Sequence, residues 1–229
     1  MKCWICGDEA KTGEHLVKAS DLRNYFGKVD QKMPLFLHTS HRRNVRLGST
    51  NADRLKSKAL ICNRCNSALT QPYDRAWEHF SEYVQTKLSH SPALGYIDLA
   101  RVFPVHTKRM AINLQLFFVK LFGCRIVEDS VPIEIEPFAQ ALVHGKPLPS
   151  VHLGLAIIPT GTDKKVAGVS PLEGLEMDGK TVYAIWLYSV GTLSVFVMFS
   201  LLPKLSKSVR WWRPSRRIRN LPITRAGRW

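Results

Sequence analysis

Two short cysteine pairs, Cys3-Trp-Ile-Cys6 and Cys62-Asn-Arg-Cys65, bracket the first third of the chain. Four soft sulfur ligands in two Cys-x-x-Cys knuckles suit a tetrahedral structural zinc. Between the pairs lies Glu14-His15, and directly after the last cysteine comes Asn66. An imidazole titrates near neutrality and can take a proton from water, so His15 is a candidate general base. Glu14 and Asn66 carry oxygens suited to a hard cation, Mg²⁺ or Mn²⁺, of the kind that stabilises charge on a phosphate. Neighbouring side chains on a strand point to opposite faces. Glu14 and His15 therefore share one site only where the strand ends or bends, and the Thr12-Gly13 turn provides for that.

These residues need elements to hold them. The stretch from Met1 to about Thr70 is polar and basic, with few large apolar side chains. So small a module rarely folds on apolar burial alone, and metal binding then supplies folding free energy. The cysteine count of 5 is odd and the N-terminus has no apolar h-region. Both argue against a disulfide framework and for a cytoplasmic protein. The fifth cysteine, Cys124, sits in an apolar run as buried filler. A strand is expected over Met1–Cys6, and a short helix from Ser20, its N-cap, to Gly27. Short strands are expected at Pro34–Leu37, Asn44–Leu47 and Ala59–Ile61. A helix should start at Asn66 or Pro72 and run to about Leu88.

Ser91-Pro92-Ala93-Leu94-Gly95 is the clearest break, and it divides residues 1–90 from a second unit, 91–203. That unit opens with a helix from Thr107 to Phe122, with Met110, Leu114, Phe117 and Leu121 on one stripe and Gly123 as its end. A shorter helix follows at Pro137–His144. Strands are expected at Val151–Ile158, Val166–Met177 (broken at Pro171), Val182–Ser189 and Leu193–Ser200. Asp178-Gly179 is a hairpin turn. The run from Val182 to Pro203 has nearly the length of a membrane span. Its β-branched and aromatic residues and its central Gly191 favour a buried hairpin over a membrane segment. The fold class is therefore α+β: a zinc-stapled N-terminal module followed by helices and an antiparallel sheet.

The formal net charge is +15, which points to a polyanionic partner. Arg42, Arg43 and Arg46 are the candidates for phosphate contact in the first unit, because a guanidinium pairs bidentately with phosphate oxygens. His38 and His41 share their loop and read as solvated. The tail, 204–229, has no acidic residue. It interleaves Arg213, Arg216 and Arg217 with Trp211, Trp212 and Trp229, a composition that serves phosphate contact and base stacking. Packing of the tryptophans back onto the protein is the equal alternative.

The succession Cys-x-x-Cys, Glu-His, Cys-x-x-Cys-Asn resembles the zinc-stapled branch of the HNH endonucleases over residues 1–80. The resemblance implies a ββα-metal fold, with an acidic-His pair on the first strand and the last motif residue opening the helix. It makes His15 the general base, Glu14 and Asn66 ligands of a catalytic Mg²⁺ or Mn²⁺, and Cys3, Cys6, Cys62 and Cys65 the zinc staple. Asp74, on the following helix, is a spare carboxylate for the divalent ion; its other reading is a favourable charge at a helix N-terminus. The family's middle Asn, which orients the base, has no counterpart in Leu55-Lys56-Ser57-Lys58; Asn51 or a backbone carbonyl is the available substitute. The implied activity is metal-dependent hydrolysis of phosphodiester bonds in DNA, with RNA left open. The alternatives are a zinc-stabilised nucleic-acid-binding protein without catalysis and, with less support, a membrane-associated effector. A homodimer or a partner protein held through the C-terminal half stays open.

Overall fold

The computed structural model describes residues 1–88, 95–158, 165–202, 211–214 and 219–225. Most of the Ser91–Gly95 break, and Arg216, Arg217 and Trp229 of the tail, lie outside the described residues. The first knuckle closes where Gly7, at φ 82°, donates its N–H to the Cys3 carbonyl at 2.8 Å. No strand forms over Met1–Cys6; Lys2 and Glu9 make an isolated bridge instead.

In chain order the elements of the first third are β1 (Thr12–His15), α1 (Ala19–Phe26), β2 (Leu35–Leu37), β3 (Val45–Leu47), β4 (Lys56–Ile61) and α2 (Gln71–Tyr83). Wide π-type turns, Cys65–Leu69 and Val84–Leu88, extend α2 at both ends. Ser20 does not cap α1. Its hydroxyl donates to Glu78 at 3.0 Å, tying α1 to α2, and Lys18 takes the capping position. Strands β1 and β4 pair antiparallel, Thr12 opposite Ile61 and His15 opposite Lys56, with a register shift between. The chain then passes through the second knuckle into α2.

After β5 (Tyr96–Asp98) and α3 (Leu99–Val102) comes the central helix α4 (Thr107–Glu128), followed by α5 (Glu136–His144). Gly123 does not end α4. A Cβ there would lie 2.4 Å from the Trp4 ring, so the glycine admits an indole from the first knuckle against the helix. Nor is α4 a one-stripe helix: Asn113, Gln115 and Lys120 are as buried as Phe117 and Leu121. Among the described residues it is the one helix long and apolar enough to cross a membrane, and 78% of its apolar window is buried within this fold.

The remaining strands are β6 (Val151–Ile157), β7 (Ala167–Val169), β8 (Glu173–Met177), β9 (Lys180–Val190), β10 (Leu193–Ser200) and β11 (Asn220–Arg225). With β5 they form a seven-stranded sheet in the order β5-β11-β6-β10-β9-β7, β8 also pairing with β9. All pairs are antiparallel except β11 with β6. Asp178 and Gly179, both at positive φ, form the tight turn from β8 to β9. The fold is thus α+β, and β9 and β10 form a hairpin within the sheet.

One buried cluster runs from Cys3 to Ile223 and includes side chains from all three of the stretches 1–90, 91–203 and 204–229. Trp77 of α2 stacks on Phe117 of α4 at 5.3 Å and meets Tyr188 of β9 edge-on at 5.4 Å. The stretch read as a basic tail supplies β11 and the buried Trp212, whose backbone pairs with Leu153 of β6. Large aromatics need partners on several sides to leave water, and here each unit supplies what the other lacks.

Candidate metal centre and the residues around it

The four cysteine sulfurs come together although two segments far apart in sequence carry them. All four lie within 4.8 Å of one another, with Cys6 Sγ and Cys62 Sγ 3.5 Å apart. Four thiolates around a tetrahedral zinc at its usual bond length stand roughly 3.8 Å apart. The donor set therefore fits a thiophilic metal. Cys3, Cys62 and Cys65 are buried and Cys6 is exposed. Cys124 is buried apart from this cluster, with its thiol pushed up to about 12 chiefly by burial.

Asn66 follows the second knuckle. Its N–H donates to the Cys62 carbonyl at 3.0 Å, and its side-chain amide donates to Thr12 Oγ at 3.2 Å. The side chain thereby ties the start of the α2 region to β1, three residues before His15.

His15 carries the clearest chemical signature. Its Nε2 is buried with no hydrogen-bond partner. A neutral imidazole keeps a lone pair on one of its two ring nitrogens. Burial lowers the His15 pKa; the Glu14 charge and the Thr50 carbonyl pull it back only in part, so the ring is neutral at pH 7. A cavity of about 10 Å³, room for roughly one water, is lined by Glu14, His15, Ser57, Leu121, Cys124 and Trp186 among others. Ser57 bonds to Glu128 at 2.8 Å.

Glu14 is committed elsewhere. It is only 7% exposed, and its Oε2 lies 2.6 Å from Lys120 Nζ. The same ammonium donates to Asp74 Oδ1 at 2.8 Å and approaches Thr70 Oγ1 at 3.4 Å. Lys120 itself is wholly buried. Burial pulls its pKa down, but Glu14 and Asp74 push it well above the ordinary lysine value. For Glu14, burial pushes upward and Lys120 pulls further down, which keeps the carboxylate ionised. Lys18 adds a second cation, 3.4 Å from Asp74 and 3.5 Å from Glu78. Glu14 and Asp74, two of the expected Mg²⁺ or Mn²⁺ ligands, are ion-pair partners of Lys120 here. Sequence reasoning missed Lys120; its signal was a lone cation in the otherwise apolar run Leu116–Phe122.

The arginines expected to meet phosphate are partly accounted for. Arg42, Arg43 and Arg46 are exposed in and beside the β2–β3 connection, with Arg46 bonded to the Gln31 carbonyl. His38 and His41 are exposed in the same loop. Arg213 is exposed and donates to the Pro149 carbonyl at 3.0 Å. From Lys32 to Arg64 the sole acid is Asp53, against Arg42, Arg43, Arg46, Arg54, Lys56 and Lys58 among the bases. Comparison of the chain with protein-family models, with curated proteins and with solved structures finds no match.

Proposed function

We propose that this protein is an endonuclease of the HNH type, hydrolysing phosphodiester bonds in DNA, with a structural zinc on Cys3, Cys6, Cys62 and Cys65. The observation that carries the reading is the His15 ring. It is neutral, and its buried Nε2 has no hydrogen-bond partner in the protein. The strand-strand-helix order of β1, β4 and α2, joined through the cysteine cluster, supports it.

In this reading Nε2 takes a proton from water as the water oxygen attacks phosphorus, and the bond to the leaving oxygen breaks. Lys56, paired with His15 across the strands, and the exposed arginines hold the phosphates. Mg²⁺ or Mn²⁺ would supply charge stabilisation in such a reaction. Lys120 already holds Glu14 and Asp74.

Zinc-loaded protein should nick supercoiled plasmid, tested in Mg²⁺, in Mn²⁺ and in neither. His15→Ala should lower the rate by roughly 10²-fold or more with an unchanged circular dichroism spectrum. Equal cutting by His15→Ala overturns the assignment.

The Glu14–Lys120–Asp74 cluster favours a second reading: a zinc-stabilised protein that binds nucleic acid without cutting it. That reading predicts salt-sensitive binding untouched by His15→Ala and no nicking under any condition.

A further inference from the structure

We infer that Lys120 is a built-in cation occupying the seat that a divalent metal would otherwise take between Glu14 and Asp74. Two carboxylates from different elements, β1 and α2, converge on one point, and the ammonium of a third element, α4, fills it at 2.6 and 2.8 Å. Convergent oxygens of this kind are what a hard cation requires. Lys120 is wholly buried, and its tip reaches the two carboxylates and the Thr70 hydroxyl. The seat is also shut from outside, since Glu14 lies under α4 and Lys18 guards the Asp74 side at 3.4 Å.

The consequence deepens the nuclease reading and depends on it only for the part assigned to the metal. A protein so arranged binds no divalent ion at Glu14, so any hydrolysis at His15 proceeds without one there. Removing the ammonium while keeping its stem, in Lys120→Met, leaves two facing carboxylates and turns the seat into a latent metal site.

The test titrates Mn²⁺ into the zinc-loaded full chain and reads bound ion by electron paramagnetic resonance; no cleavage is measured, so its failure is separate from failure of the nuclease reading. Wild type should bind no ion that depends on Glu14. Lys120→Met should bind one ion at least about tenfold more tightly, because a unit charge has left the seat, and Glu14→Gln in that background should abolish the gain. A Glu14-dependent ion in the wild type, or a folded Lys120→Met with no tighter binding, overturns the inference. If Lys120→Met unfolds alone, recovery of its structure by Mn²⁺ but not by Na⁺ of equal ionic strength supports it, and absence of recovery overturns it.

Discussion

The Trp77 indole donates to Asp21 Oδ2 at 2.6 Å, deep enough that the tryptophan is fully buried and Asp21 is 1% exposed. Tyr188 donates to the same oxygen and Ser81 to the other at 3.2 Å. One carboxyl of α1 therefore gathers α2 and the sheet.

Burial raises the Asp21 pKa above its ordinary value, and the three donors only partly offset it. A folded pKa above the unfolded one contributes stability that is full below the unfolded value, near 4, and lost as pH rises through the folded value. Asp21→Asn is neutral throughout and can still accept from Trp77 and Tyr188. Its stability should therefore gain on wild type as pH rises from about 4, measured by urea unfolding at several pH values. Asp21→Ala should cost about 2–4 kcal/mol, because Trp77 and Tyr188 then lose their acceptor. A wild-type-to-Asn difference that does not change with pH contradicts this account.

Gln115 of α4 is wholly buried. Its amide donates to the Leu148 and Val151 carbonyls at 3.0 and 2.7 Å and accepts from the Leu148 N–H at 3.1 Å. Gln115→Leu keeps the bulk but orphans the Leu148 N–H and the Val151 carbonyl, while the Leu148 carbonyl keeps the Val151 N–H at 3.1 Å. A loss of about 2–5 kcal/mol is expected, read as a lower urea midpoint with an unchanged m-value.

Gly123→Ala should destabilise although alanine is the better helix former. The added methyl meets the Trp4 ring, and displacing it should cost about 1–3 kcal/mol. In the Trp4→Ala background the same change should be neutral or stabilising, which a double-mutant cycle on thermal midpoints will show.

Purified protein should carry one zinc per chain by elemental analysis. Chelation, or Cys62→Ser, should release it and lower the thermal midpoint, because metal binding contributes folding free energy in a segment with little core of its own. Retention of zinc by Cys62→Ser would remove that residue from the ligand set.

Arg42→Ala/Arg43→Ala should weaken DNA binding at low salt and flatten the dependence of log K on log[salt] by up to about 2, one phosphate contact per arginine. An unchanged slope would place the phosphate contacts elsewhere.

Local information was legible without coordinates. The Cys-x-x-Cys spacings announced the four-sulfur cluster, Gly27 and Gly145 ended α1 and α5, and Asp178-Gly179 marked the β8–β9 turn. Gly123 was misleading because its reason lies on Trp4, a residue no helix signal can see. Leu221 and Ile223 of β11 were masked by the basic composition around them.

The sequence by itself determined the four-cysteine donor set, most of the run of strands and helices, and the excess of basic charge, because each depends on residue chemistry or on spacing within a few turns of chain. The tertiary structure alone decided what those residues do to one another. It set Lys120 against Glu14 and Asp74, buried the His15 Nε2, and merged the segments into one core. A buried charge must find its counter-charge wherever the fold brings one, and no local pattern specifies which distant side chain that will be.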